Sequence, residues 1–439
     1  MCMGSFIARI FALLLASMSY FPLDVSFLPA GYNTKKTMAA IGVVIFILQA
    51  VRNRNLKIDR GVIFCILYAC LVSLAGVFSV VWNNTGDMTY ATYVMSMLTW
   101  LGAAYLSVLV IRKVEGRADV RVVGQYMVAV CLFQCTTALL IDNIPAFKTW
   151  TLSWMKGFGF TGIDAGATRM FGMGAFLDVG GTRFAACLVV LAALIKDAVE
   201  EQRKRPVFPY LISFAIILVV GCMIGRTTIV GLLLAIAYWL LTSDLFRFRP
   251  DSYNTVLKWI VPLLIVAVPV AFLLYTNNDY FYENFRFGFE NIFSWVEKGS
   301  LTETGSTSRL LDMFVWPDNI KTWLIGDGYF NGPGADPNFL GDAGMTDFYM
   351  WTDVGYCRFI FYFGMIGLLL FMAFFVRVGV ACRGKQPRFA LMFAFLVLLN
   401  FVIWIKVSTD IFVMLAPFLC MDAFDEQDDE TDISSELDV

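Results

Sequence analysis

Apolar residues in this chain gather into long runs separated by polar stretches, and a membrane-crossing helix needs about 20 predominantly apolar residues. On that criterion the pattern predicts about twelve transmembrane helices, near 5–23, 37–51, 61–81, 91–111, 122–141, 183–195, 207–224, 227–242, 257–275, 356–376, 389–405 and 409–421. The predicted fold class is an all-α polytopic membrane protein. The first run carries only Arg9 ahead of its core and no small-residue cleavage site, so it reads as a retained helix and not as a signal peptide.

Polar loops test this layout, because cytoplasmic loops concentrate Lys and Arg. Alternate loops do so, with Arg52, Arg54, Lys57 and Arg60 in one, Arg112, Lys113, Arg117 and Arg121 in the next, then Lys196 with Arg203 to Arg205, then Arg247, Arg249 and Lys258, then Arg377, Arg383, Lys385 and Arg388. The intervening short loops hold only Lys35, Lys36, Arg226 and Lys406. This alternation predicts cytoplasmic termini and two long extracytoplasmic segments, 142–182 and 276–355. The organisation is therefore helices 1–5 over 1–141, a first long loop, helices 6–9 over 183–275, a larger loop, helices 10–12 over 356–421, and an acidic tail over 422–439. With nine carboxylates and almost no apolar residue, that tail has no means of forming a core.

The two long loops are the only places large enough for a soluble site. Each opens on aromatics at helical spacing, Phe147, Trp150 and Trp154 in the first and Phe281, Phe285, Phe289, Ile292 and Val296 in the second. Such stripes predict helices lying on the membrane interface or packed on the bundle. Ser306, Thr307 and Ser308 then precede Arg309, a capped helix start whose amphipathic run ends around Pro317. From Gly326 to Gly344, Gly and Pro recur too often for regular structure, which leaves a mobile lid and a plain surface loop as equal readings.

Composition narrows the chemistry. Charged residues are 15% and apolar residues 59%, against roughly 25% and 45–50% in soluble domains, so a water-soluble enzyme is excluded. A net charge of −2 with no basic domain argues against nucleic acid as a partner. The chain has no histidine, which removes His general bases, Ser/His/Asp and Cys/His triads, HExxH zinc sites and His-ligated haem. Its ten cysteines fall mostly inside apolar runs without a CxxC pair, against a disulfide framework or a Cys metal site.

The outward-facing basic residues include Arg169, Arg183, Arg226, Arg286, Arg309 and Arg358. Arg226 stands in a two-residue turn between apolar helices, where it must either snorkel to the interface or meet a fixed anion. Arg226, Arg309 and Arg358 together fit a phosphate clamp, since guanidinium binds phosphate oxygens as a bidentate fork. A lipid-linked pyrophosphate lies at this depth, and arginines could stabilise it as a leaving group without a metal. Carboxylates offer the rival reading. A calcium loop starting at Asp336 fails at two ligand positions, with Leu340 in the fifth place and Asp347 in the twelfth. Asp353 sits just before a helix, where it can be an N-cap or a general base for a hydroxyl.

The segment DVGYCRFIFYFGMIGLLLF, 353–371, closely resembles the DxGYxR signature and GxxG-containing helix of the O-antigen and exopolysaccharide polymerases, the Wzy-like proteins, which are related to O-antigen ligases. Three further pieces follow the family order over roughly 160–375: Arg226-Thr-Thr leading to Gly231, GSTSRLLDMFVW with Arg309, and WLIGDGYF with its Gly-x-Gly. Arg169 with Gly180 reproduces an Arg-x10-Gly spacing. The resemblance implies a GT-C-type membrane glycosyltransferase of the bacterial cytoplasmic membrane, with its site facing outward. It implies transfer of a growing glycan from one polyprenyl pyrophosphate onto another lipid-linked repeat unit, with a chain-length regulator as a candidate partner. Asp353, Arg309 and Tyr356 of the motifs are the expected catalytic residues, and Arg226, Arg309, Arg358 and Arg169 the expected pyrophosphate ligands, with no metal and no cofactor. Ligases usually carry a histidine where Asp353 stands, which favours polymerase over ligase. Asp327, interrupting the Gly-x-Gly, leaves room for a second carboxylate. A flippase or transporter for lipid-linked sugars stays open as the rival class, although such proteins place ionisable groups near the membrane midplane and here the helix centres are almost free of charge.

Overall fold

A computed structural model of the chain describes residues 3–29, 31–52, 58–156, 170–201, 207–242, 269, 271–299, 305–335 and 348–421. The architecture is helical: α1 (Met3–Tyr20), α2 (Thr34–Arg52), α3 (Arg60–Asn83), α4 (Tyr93–Glu115), α5 (Val120–Asn143), α6 (Pro145–Trp154), α7 (Leu177–Glu200), α8 (Val207–Ile224) and α9 (Thr228–Thr242). After these come α10 (Asp279–Gly288), α11 (Glu290–Lys298), α12 (Gly305–Asp312), α13 (Ile320–Ile325), α14 (Gly355–Lys385), α15 (Ala390–Ile403) and α16 (Phe412–Cys420). Its extended structure includes a two-residue antiparallel pairing of β1 (Asp24–Val25) with β2 (Met155–Lys156), which ties the α1–α2 connection to the end of α6.

Seven of these helices, α2, α3, α4, α5, α7, α8 and α14, are long and apolar enough to cross a membrane. At 1.5 Å per residue the 24 residues of α7 reach about 36 Å, enough for a hydrocarbon core of about 30 Å. Phe6–Tyr20, Thr228–Thr242 and Pro387–Ile403 are apolar but shorter, and α16 has nine residues where the sequence pattern predicts a span over 409–421. Of the predicted span 257–275, residues 271–275 are helical and most of the remainder lies outside the described residues. The acidic tail lies outside them too. The predicted span 183–195 is too short: α7 starts six residues earlier and ends five later, because its terminal turns carry Asp178, Lys196, Asp197 and Glu200, which an apolar window rejects.

Burial sorts the helices. α7 is enclosed on all sides, with α5, α8, α9 and α15 around it, and every residue from Gly180 to Ile195 is buried. α2 and α3 instead turn apolar side chains outward, Val44, Ile47, Leu48, Leu67 and Leu74 among them, as lipid-facing helices do. Small residues set the closest crossings. A Cβ on Gly231 of α9 would lie 2.4 Å from Ala185 Cα of α7, and one on Gly42 of α2 would lie 2.2 Å from Gly102 O of α4.

One set of ion pairs lies at one end of the bundle. Arg9 pairs with Glu115 at 2.8 Å, Arg121 with Asp197 and Glu201, Arg388 with Asp197 and Glu201, and Lys385 with Asp59. Arg112 donates to Cys420 O and Lys385 to Met421 O, so the described beginning and end of the chain share this end with the basic loops.

The opposite end carries the long loops. Helix α14 is kinked at Phe363 and Gly364, the latter at φ +66°. A kink frees helix carbonyls, which need other donors. Here Phe361 O and Tyr362 O accept from Asp327 N (2.6 Å) and Gly328 N (3.1 Å). The approach is tight: a Cβ on Gly364 would lie 2.2 Å from Leu324 C, and one on Gly326 2.5 Å from Tyr362 C. The Gly-x-Gly and the glycine-bearing helix noted in the sequence thus meet as one joint that docks α13 onto α14.

Candidate functional site

At this loop end a cavity of about 950 Å³ opens between α7, the α8–α9 turn, α10, α11, α12 and the loop after α15. Its lining includes five cations, Arg226, Arg286, Lys298, Arg309 and Lys406, and four carboxylates, Asp178, Glu290, Glu297 and Asp353. Ionic groups at the mouth of an otherwise apolar bundle mark a binding site for a charged ligand.

Each wall has a local cause. Gly181 and Gly225 pack against each other, a Cβ on Gly225 also falling 2.4 Å from Leu177 O, so the α8–α9 turn is pressed onto the start of α7. That contact carries Arg226 into the cavity, where it pairs with Glu290 and lies 4.6 Å over the Phe287 ring. Thr227 donates to Asp178 at 2.6 Å, and Lys406 reaches the same carboxylate oxygen at 2.6 Å. Lys406 is brought there by Gly355, which has no side chain to hold the 404–407 loop away; a Cβ would lie 2.6 Å from Val407 O. Tyr356 N donates to Trp404 O in the same crossing.

On the loop side, Asn278 caps α10 by accepting from Phe281 N, and the aromatic stripe then packs Phe281 and Phe285 against the core. Val296, further along the stripe, stays 70% exposed, so of the two expected placements the first turns pack on the bundle and the last turn does not. Arg286 donates to Glu297 at 2.7 Å and lies over Phe293 at 4.9 Å. That hydrogen bond holds the Glu297 carboxyl below its ordinary pKa and the Arg286 guanidinium above its own.

Asp353 is half-buried and, among the described residues, has no hydrogen-bond partner. Burial pushes its carboxyl above the ordinary value; Asp178 adds to the rise, while Arg358 and Lys406 oppose it. Capping of α14 does not use Asp353: the first non-helical residue is Val354, whose N–H donates to Thr352 Oγ1 at 3.2 Å. Thr352, fully buried, donates in turn to Met313 O at 2.6 Å and so fixes the end of α12 beside the start of α14.

The cavity therefore gathers three of the expected site residues, Arg226, Arg309 and Asp353. Arg309 is exposed on α12. Arg358 and Tyr356 point elsewhere. Arg358 is 4% exposed, sandwiched between the rings of Phe330 and Phe348 at 3.6 and 3.7 Å, and donates to Ser408 Oγ and Phe330 O. Tyr356 donates to Phe401 O at 2.9 Å. Both tie α14 to neighbouring segments. Arg169 lies outside the described residues, as do Asp336, Asp342 and Asp347 of the calcium-loop alternative. Asp327, the second carboxylate of interest, is engaged by Lys321, Thr322 and Tyr349.

Sequence reasoning missed Asp178, Glu290, Glu297 and Lys298. Asp178 carried a signal, since a carboxylate in the first turn of an apolar helix lies at the positive end of its dipole and at the membrane surface. Lys406 was visible only as an exception in a loop otherwise poor in cations.

Fold and site together define a polytopic helical membrane protein with an ionic cavity at one end of its bundle. Comparison with known families, curated proteins and solved structures finds no match.

Proposed function

We propose that the chain is a metal-independent glycosyltransferase that polymerises polyprenyl-pyrophosphate-linked repeat units, with the cavity as its active site at the outer face of a bacterial cytoplasmic membrane. In this reading the full layout has about twelve spans with a GT-C-type arrangement, both termini are cytoplasmic, and the partners are lipid-linked glycans and membrane lipid. The observation that carries the proposal is one cavity holding Arg226 and Arg309 beside a half-buried carboxylate, Asp353, that has no hydrogen-bond partner among the described residues.

The chemistry follows from those roles. A hydroxyl oxygen at the non-reducing end of the acceptor attacks the anomeric carbon of the donor glycan, while the bond from that carbon to the pyrophosphate oxygen breaks. Asp353 takes the hydroxyl proton, for which a raised pKa is an advantage. The departing pyrophosphate carries away the bonding electron pair, and Arg226 and Arg309 stabilise the charge that builds on it. Glu290 holds Arg226 until the more highly charged pyrophosphate displaces it. Arg358 and Tyr356, placed outside the cavity lining, then position α14 and do not touch the substrate.

Cells lacking the chain test the proposal directly through their extracted lipid-linked glycans. Accumulation of single-repeat lipids, with loss of long polymer, is the expected result. Unchanged polymer, or repeat units trapped on the cytoplasmic side as a flippase defect would leave them, refutes it.

A further inference from the structure

A second group of charges stands apart from the cavity. Arg226, Arg309 and Lys406 account for part of the outward cationic charge that the sequence carries, but Lys35 and Arg183 line no part of the cavity. Both converge on Trp100 of α4: Lys35 Nζ lies 3.9 Å from the centre of a Trp100 ring, and the Arg183 guanidinium lies 5.7 Å from one. Arg183 also lies 5.2 Å from the Phe21 ring centre. It is only 7% exposed, and its Nη1 is buried without a hydrogen-bond partner. Asp410 is the carboxylate that acts on both cations, but its side chain already caps Phe412 N at 2.9 Å. Asp24 and Lys36 also act on Lys35 and offset one another in charge. The group therefore keeps one positive charge in excess, and a guanidinium N–H aimed at aromatic faces with nothing to bind. Burying such a charge is costly unless an anion completes it.

We propose that Lys35 and Arg183 form a binding site for the phosphate of an anionic membrane lipid, separate from the cavity and independent of the polymerase reading. A lipid is favoured over a soluble anion by the surroundings. Lys35 and Trp100 are half-buried, and beside them α2 and α4 expose Ile41, Val44, Met95 and Leu98, an apolar flank along which acyl chains can lie. A phosphate held by Lys35 from that flank, over Trp100, would offer the buried, unpartnered Nη1 of Arg183 behind it the acceptor it lacks.

Native mass spectrometry of the full-length protein in detergent, titrated with phosphatidylglycerol, tests this. Wild type should retain phosphatidylglycerol after delipidation and rebind it in preference to phosphatidylcholine, whose choline would meet two like charges. K35Q with R183Q should lower the bound fraction at least tenfold, and K35Q alone, at a half-buried position, by several-fold with an unchanged unfolding temperature. R226Q in the cavity should bind the lipid as wild type does. Equal phosphatidylglycerol retention by wild type and K35Q would overturn the proposal, whether or not the double variant folds. Displacement of the bound species by inorganic pyrophosphate at equal concentration would assign the site to a soluble anion instead, and that also overturns it.

Discussion

Replacing Asp353 by Asn separates a proton acceptor from a structural carboxylate. The two side chains have the same shape, and Asn retains an oxygen that can accept a hydrogen bond but cannot take a proton at neutral pH. Because Asp353 has no hydrogen-bond partner among the described residues and α14 starts at Val354 without a side-chain cap, Asn removes no bond that holds the fold. The pKa supports the same expectation. A carboxyl raised in the folded state favours folding at low pH, and that contribution is lost as pH rises through the raised value; at neutral pH the ionised group is a small burden that Asn relieves. D353N should therefore unfold at or slightly above the wild-type temperature. Its polymerisation rate should fall by about 10²- to 10⁴-fold, the usual worth of a positioned base, or about 2.7–5.5 kcal/mol on the barrier. T352A is the contrasting change. It leaves Val354 N without its partner, removes one of the two donors to Met313 O, the other being Val315 N, and should lower stability by about 1–3 kcal/mol, with activity falling only as far as α12 loosens. The assay is the length distribution of lipid-linked glycan made by purified protein in vesicles, read beside thermal unfolding. Wild-type polymer lengths and rates from well-folded D353N would refute the base assignment and move the search to the other carboxylates, Asp178 of the cavity first.

R226A and R309A should each cost about 2–5 kcal/mol of transition-state stabilisation, roughly 30- to 5000-fold in rate, with Lys restoring only part because it lacks the planar fork; full activity in either variant at normal expression would reduce that residue to an interface contact. K406M removes a cation that lowers the Asp353 pKa and takes the Lys406 ion pair from Asp178, so the acidic limb of the pH–rate profile should move to higher pH, a shift that an unchanged profile would disprove. G364A forces a Cβ into the Leu324 backbone at a left-handed φ and should lower stability by about 1–3 kcal/mol, measured by thermal unfolding, while loosening the α13 joint. A cysteine placed at Gly299 should react with an impermeant reagent in intact spheroplasts, and labelling only after lysis would reverse the proposed orientation.

Periodicity and hydropathy alone located most of the helices, because a run of apolar residues has few alternatives to a membrane-length helix with its backbone bonded internally. Glycines in the Asp353 and Asp327 segments were also legible as a pair, although not as the joint where a kinked α14 accepts Asp327 and Gly328. Three of the expected site residues converge on one cavity; the sequence could not separate them from Arg358, since an arginine sandwiched between Phe330 and Phe348 reads the same in one dimension as an arginine facing a ligand. α7 reads too short for the related reason that hydropathy counts charge as an end, whereas tertiary packing lets Asp178 pair with Lys406, 228 residues later. What the sequence determined was what each segment buries in lipid or protein. Which charges meet, and which carboxylate beside the cations has no hydrogen bond among the described residues, depended on contacts between segments distant in the chain, and those are set by glycine-tight helix crossings and loop closure rather than by local pattern.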